Sequence, residues 1–194
     1  MNNNQHLLLA AKRGDIDSIK RAIDAGADVN AVTDSGYSPL ILAVERGSPD
    51  CVELLIERGS NINYVADTPL VGQTTALKHS CYLGDYDIVK RLAECGGDIH
   101  YSDENNANLL FWACASRSDK RKIIVDYLLD RGVDINHQNN LGTTALMVVN
   151  YPGPFDAELF ASMLARGADP TVENIMGHTV EFLASKLGRQ CVLV

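Results

Sequence analysis

Gly26-Ala-Asp-Val-Asn30 decides the fold, because the chain returns to it four more times. The same glycine-led segment recurs as Gly59-Ser-Asn-Ile-Asn63, Gly96-Gly-Asp-Ile-His100, Gly132-Val-Asp-Ile-Asn136 and Gly167-Ala-Asp-Pro170. Successive glycines stand 33, 37, 36 and 35 residues apart. A near-constant period of this length marks a stacked array, in which each unit buries its apolar face against its neighbours. Such an array offers a groove and a surface more than a closed pocket, so function is sought on the surface.

Between these segments each unit reads as helix, turn, helix and extended loop. In the unit from Ser38 to Asn63, Ser38 is placed to cap the first helix. Pro39 takes the first helical position, where its missing N–H costs nothing. Leu40, Ala43 and Val44 share one face. Gly47 ends that helix, because glycine adopts the left-handed cap without strain. Val52, Leu54, Leu55 and Ile56 supply the apolar part of the second helix, which stops at Gly59. The loop that follows, Asn61-Ile-Asn63, is expected to bury Ile62 between polar neighbours.

These residues resemble the ankyrin repeat. Its opening half is matched by Gly36-Tyr-Ser-Pro-Leu-Ile-Leu-Ala43, Gly142-Thr-Thr-Ala-Leu146 and Gly177-His-Thr-Val180. Its closing half is matched by Leu54-Leu55, Leu128-Leu129 and the five glycine segments. The resemblance spans essentially the whole chain and implies an all-α solenoid of helix–turn–helix units joined by hairpin-like loops. Residues 1–194 then read as one domain. Its units run at about 1–33 (an N-terminal cap, helical from Leu7 behind a polar leader), 34–66, 67–102, 103–138, 139–172 and 173–194. The last supplies a capping helix, Thr179 to Leu187.

Three departures interrupt the period. The hairpin through Asp67–Thr74 is four residues longer than its counterparts. The fourth unit has Arg117 where the mid-repeat glycine belongs, and its turn is longer by three. It also opens on Asn108-Leu-Leu-Phe-Trp-Ala113 instead of Thr-Pro. The fifth carries Tyr151-Pro-Gly-Pro154, whose prolines should end its first helix early. Long loops in compact arrays either bind partners or record drift, and the long hairpin is the first place to look for binding.

The resemblance also implies where a partner docks: on the hairpin tips and the exposed edge of the first helices. Carried over by register, the tips contribute Asp34, Ser35 and Tyr37, then Leu70, Val71 and Gln73. Next come Glu104, Asn105 and Ala107, then Asn140, Leu141 and Thr143, then Ile175, Met176 and His178. The first helices add Glu45, Arg46, Tyr82, Leu83, Ala115 and Ser116, with Tyr151 following. Exposed tyrosines and aliphatics are what binding surfaces favour, although single exposed apolar residues are ordinary. Tyr37, Tyr82 and Tyr151 carry the most weight. Trp112, the single tryptophan, falls in register with Leu42, Val148 and Leu183 and is expected in the core.

Composition narrows the function further. The 194 residues are 46% hydrophobic and only 6% aromatic, which suits a soluble chain with an aliphatic interior. No apolar run approaches the roughly 18 residues of a membrane span. The start, Met1-Asn-Asn-Asn-Gln-His6, lacks the pattern of a secretory signal. The cytosol is therefore the expected compartment, unless an unrecognised signal exports the chain. A net charge of −8 argues against a nucleic-acid surface. The basic cluster Arg117, Lys120, Arg121 and Lys122 reads as a solvated helix face.

No nucleophile motif, phosphate loop, dinucleotide fingerprint or zinc-ligand pair is present, so neither catalysis, cofactor nor metal is expected. Cys81 and Cys114 occupy small-residue core positions and should be inert, whereas Cys95 should be exposed. His79 and Cys81 fall on different faces of one helix. The ending Cys191-Val-Leu-Val194 resembles a prenylation box, yet the same apolar residues could simply finish the capping unit.

Three functional readings follow. The first is a non-catalytic, monomeric module that binds a protein partner. The second is an acidic inhibitor or immunity-type protein blocking a basic enzyme or toxin. The third is a host-directed effector lipidated at Cys191, the one route to a membrane.

Overall fold

The computed structural model of the chain describes residues 1–68, 72–149 and 156–186. Read from sequence, residues 1–194 make one domain; the fold gathers into two compact units, Met1–Ile99 and His100–Val194. Leu70 and Val71 of the long hairpin, Tyr151, Leu187 and Cys191 lie outside the described residues.

The first unit holds three helix pairs: α1 (Asn3–Arg13) with α2 (Ile16–Asp24), α3 (Pro39–Arg46) with α4 (Pro49–Glu57), and α5 (Ala76–Leu83) with α6 (Tyr86–Glu94). A two-residue turn joins each pair, and it opens with a left-handed glycine: Gly14, Gly47 or Gly84. At Gly47 φ is +67°, and its N–H bonds back to the Ala43 and Val44 carbonyls. Asp15 and Asp85 then cap the second helices by accepting the Ser18 and Ile88 N–H groups. Ser48 makes no such bond, and Pro49 takes the first helical position, where its missing N–H costs nothing. Ser38 caps α3 as expected, accepting the Ile41 N–H at 3.3 Å.

Helix α1 starts earlier than Leu7. Asn2 and Gln5 form a reciprocal capping box, so the polar leader is itself the first helical turn. Helices α1, α3 and α5 pack in one layer and α2, α4 and α6 in a second. Leu7, Leu40 and Leu77 repeat down the first layer, and Ile19, Leu55 and Leu92 down the second, all fully buried. Each such side chain contributes about 1.5–3 kcal/mol by leaving water. Ile62 is only half-buried, because its loop lies on the rim and not between layers.

The glycine segments are tied together by asparagine. Asn63 Nδ2 donates to the Gly96 carbonyl at 2.9 Å, while its Oδ1 accepts the Asp98 N–H at 2.8 Å. Asn30 does the same toward the next loop, accepting Asn61 N–H at 2.7 Å. At the start of the chain Asn4 takes that role, accepting the Asp28 N–H at 2.8 Å. A side-chain amide offers a donor and an acceptor a fixed distance apart, which suits the recurring Asn to this bridge. The long hairpin is a true antiparallel ribbon, β1 (Ala66–Thr68) with β2 (Gly72–Thr74), pairing Ala66 with Thr74. Buried Lys78 reaches its base, donating to the Gln73 carbonyl at 2.6 Å.

The second unit contains α7 (Leu109–Ala115), α8 (Arg121–Leu129), α9 (Ala145–Val149), α10 (Ala157–Ala165) and α11 (Val180–Lys186). Helix α7 packs on α8 and α9, and α9 on α10 and α11. Helix α9 spans Ala145–Val149; Tyr151, Pro152 and Pro154, expected to end it early, lie outside the described residues. The unusual opening of α7 is well made. Asn108 Oδ1 accepts the Phe111 N–H at 3.0 Å, and its Nδ2 donates to the Asp134 carbonyl. The asparagine bridge recurs at Asn136, which spans Gly167 and Asp169 at 3.0 and 2.8 Å.

Without a glycine after α7, Ser116 leaves in an extended conformation, φ −63° and ψ 146°. Arg121 then holds the longer turn. Its Nη1 donates to the Ser116 carbonyl at 3.2 Å, and its guanidinium meets the Asp156 carboxylate at 3.0 Å. Asp156 in turn caps α10 through the Leu159 N–H. Arg121 is thus an internal strut and not part of a solvated face, while Lys122 pairs with Asp126 at 3.0 Å.

Trp112 is half-buried, not core. Its Nε1–H donates to buried Asp103 Oδ2 at 2.9 Å, which draws the indole to the edge of the packing. Its counterparts Val148 and Leu183 are likewise half-buried, and only Leu42 is fully interior.

Candidate functional site

The loop tips are built by one local device. In the second unit Asp103, Asn139 and Asn174 each stand at the entrance of a tip. Each side-chain Oδ1 accepts two backbone N–H groups, those two and four residues on, at 2.9 to 3.0 Å. The residue three on is left-handed: Asn106, Gly142 and Gly177. Short polar side chains that hydrogen-bond their own backbone favour this turn over helix or strand. In the first unit Thr33 plays the same part with its hydroxyl, accepting the Tyr37 N–H at 3.0 Å.

Adjacent tips of the second unit are also joined to each other. Asn140 N–H donates to the Asn105 carbonyl at 2.9 Å, and its Nδ2 to the Glu104 carbonyl at 3.1 Å. Ile175 N–H donates to the Leu141 carbonyl at 3.0 Å. The approach is close enough that a Cβ at Gly142 would sit 2.9 Å from the Asn174 Cα. His137 adds a bond from Nε2 to the Asn106 carbonyl at 2.7 Å. The tips are therefore preorganised by backbone contacts and leave the intervening side chains pointing outward.

Those side chains are strongly apolar in the second unit. Leu141, Ile175 and Met176 are 58%, 69% and 71% exposed. Glu104, Asn105 and Asn140 stand exposed beside them. His178 is half-buried and stacks on exposed Phe182, centroids 4.2 Å apart, with Lys186 Nζ over the same ring. In the first unit Asp34, Ser35, Glu45, Arg46, Tyr82 and Leu83 are exposed.

Several expected members of the row lie elsewhere. Tyr37 and Gln73 are half-buried, as are Ala115 and Thr143. Ala107 and Ser116 are buried and cannot meet a partner. Ala107 turns inward because its N–H is tied to Asp103, and Ser116 because its carbonyl and hydroxyl serve the turn after α7. Leu70, Val71 and Tyr151 fall outside the described residues. Phe182 went unremarked in the sequence, although its place one turn beyond His178 could have paired the two rings.

The cysteines separate by burial. Cys81 and Cys114 are buried, and burial pushes both thiols up, Cys114 to about 12. Cys51 is buried as well, and Cys95, at the end of α6, is half-buried instead of exposed. Burial also holds the His79 imidazolium below its ordinary range, partly offset by Glu45. Hydrogen bonds from Thr171 keep the Asp169 carboxyl below its own.

With the loops and helices in view, the comparison with known families is direct. A family model described as ankyrin repeats (3 copies) matches residues 7–103 and 77–174. The chain belongs to the ankyrin repeat family. Ankyrin repeats are general protein–protein interaction modules and are typically non-catalytic. Among the described residues of this ankyrin repeat protein, no helix is long and apolar enough to cross a membrane.

Proposed function

We propose that the chain is a non-catalytic binding module that captures a protein partner on its loop tips and first-helix edges. One observation carries the reading: Leu141, Ile175 and Met176 are among the most exposed apolar side chains, and they stand on tips whose backbone is already fixed. Large aliphatics held out of a rigid loop do nothing for folding, and they bury on docking with little conformational entropy left to lose. In the first unit Tyr82 and Leu83, 49% and 41% exposed at the end of α5, are the corresponding contacts. Asp34, Ser35, Glu45 and Arg46 would form a polar rim there. The module acts as a single chain, in the cytosol.

The test compares two sets of substitutions in the full chain. Tyr82→Ser with Leu83→Ser, and Leu141→Ser with Ile175→Ser and Met176→Ser, should each lower capture of the same proteins from a native extract by about tenfold or more. Ile123→Ser, at an exposed aliphatic on α8, should leave capture unchanged. Equal capture by all three variants, with melting curves intact, would remove the loop tips and first-helix edges from consideration.

A further inference from the structure

The charges of this chain are segregated. The five loop segments, residues 26–38, 59–75, 96–108, 132–144 and 167–179, contain none of its 17 lysines and arginines. They hold nine Asp and Glu residues. Among the described residues every lysine and arginine stands on a helix or at a turn beside one. In the second unit the nearest arginines in sequence are engaged there. Arg131 lies 3.6 Å over the Tyr127 ring, and Arg166 bonds Asp130 at 2.6 Å.

The apolar tips of the second unit thus stand on loops that carry acidic residues and no lysine or arginine. Glu104, Asp134, Asp169 and Glu173 are exposed on the three loops 96–108, 132–144 and 167–179, the last two of which carry Leu141, Ile175 and Met176. Asp134 and Asp169 each brace their own loop through an N–H two residues on, so these charges are fixed in place. A surface of one sign with an aliphatic centre selects its partner by charge and holds it by burial.

From this we infer that the partner surface docking on the second unit is a cationic polypeptide segment, with lysines or arginines around at least one aliphatic anchor. The inference rests on the binding reading above and adds the partner's chemistry to it. An anionic partner would meet the exposed carboxylates of these loops, whose repulsion acts over about 8 Å at physiological salt. Nucleic acid and an anionic membrane would meet the same repulsion.

The test uses three fluorescein-labelled 12-residue peptides and the full chain. One alternates Leu with Arg, one Leu with Glu, and one Ser with Arg; anisotropy gives Kd at 50 and 300 mM NaCl. The Leu/Arg peptide should bind about tenfold or more tighter than either of the others and weaken several-fold at high salt. Ile175→Ser with Met176→Ser should weaken it at both salts. Glu104→Gln with Glu173→Gln should weaken it mainly at 50 mM and flatten its salt dependence. Because the tip bonds are made by backbone, both double variants should keep the wild-type melting curve.

Equal or tighter binding of Leu/Glu, lost on the Ile175 and Met176 substitutions, would overturn the cationic partner while leaving the tip surface standing. Ser/Arg binding as well as Leu/Arg would reduce the attraction to bulk charge and overturn the inference. So would failure of the Leu/Arg peptide to bind, or indifference of its binding to the tip substitutions. The binding reading itself is judged separately, by capture from native extract, which presupposes nothing about the partner's charge.

Discussion

The turn after α3 and the turn after α7 do the same job by different means. In the first unit Gly47 closes α3 with one left-handed residue, and Ser48-Pro49 begins the next helix at once. In the second unit Ser116 to Lys120 covers that connection, and the Arg121 guanidinium must hold the Ser116 carbonyl and the Asp156 carboxylate to keep it in place. The lesson is that a turn can be stored in backbone conformation or in side-chain bonds. The second way links the turn to the next repeat.

The substitution that most sharply separates the two turns is Arg121→Ala. The pair is largely shielded, with side chains 14% and 27% exposed. Losing the cation should cost about 2–3 kcal/mol, between the values for exposed and buried pairs, in urea unfolding of the full chain. A loss near zero would mean that the extended turn supports itself.

Next in size are the asparagine bridges. Asn63→Ala removes a donor and an acceptor from the first unit, and Asn136→Ala removes the same pair from the second. Each should cost about 1–2 kcal/mol by the same measurement, two exposed bonds of ordinary strength. Near-equal losses would show that the units differ in their turns and not in their loops. Gly47→Ala should cost about 1 kcal/mol, the strain of a Cβ at positive φ, since little else is near the position.

The smallest effect is a pH dependence confined to the first unit. Burial lowers the His79 pKa below its ordinary 6.5, against the pull of Glu45 and with the help of Lys78. Between the folded and unfolded values the unfolded chain binds more protons, so stability is full above about pH 6.5 and falls as pH drops. The melting temperature should fall further between pH 7.5 and 5.5 for the wild type than for His79→Gln. Parallel slopes would dismiss His79 as the source.

What was legible in the sequence was local. Ser38-Pro39 and Gly47 announce a helix start and stop within a few residues, because caps are made by neighbours in the chain. The repeat period and the core leucines followed from spacing alone. Asn63 and Arg121 could not be read the same way, since each acts on residues some 35 positions on, brought near only by stacking. Register alone misplaces Trp112 in the core: an indole N–H needs an acceptor, and Asp103 supplies one at the edge. Tip positions were half legible. Leu141, Ile175 and Met176 point outward as expected, but Ala107 and Tyr37 do not, because side-chain direction there is set by the turn bonded to Asp103 or Thr33.

The central claim, that partners dock on loop tips and first-helix edges, is tested most directly by photocrosslinking in native extract. A photoreactive phenylalanine analogue is placed at position 82, 175 or 123 of the full chain, one at a time. The account predicts the same discrete adduct from positions 82 and 175 and none from 123 on α8. An adduct from 123 alone, or equal labelling from all three, would contradict it.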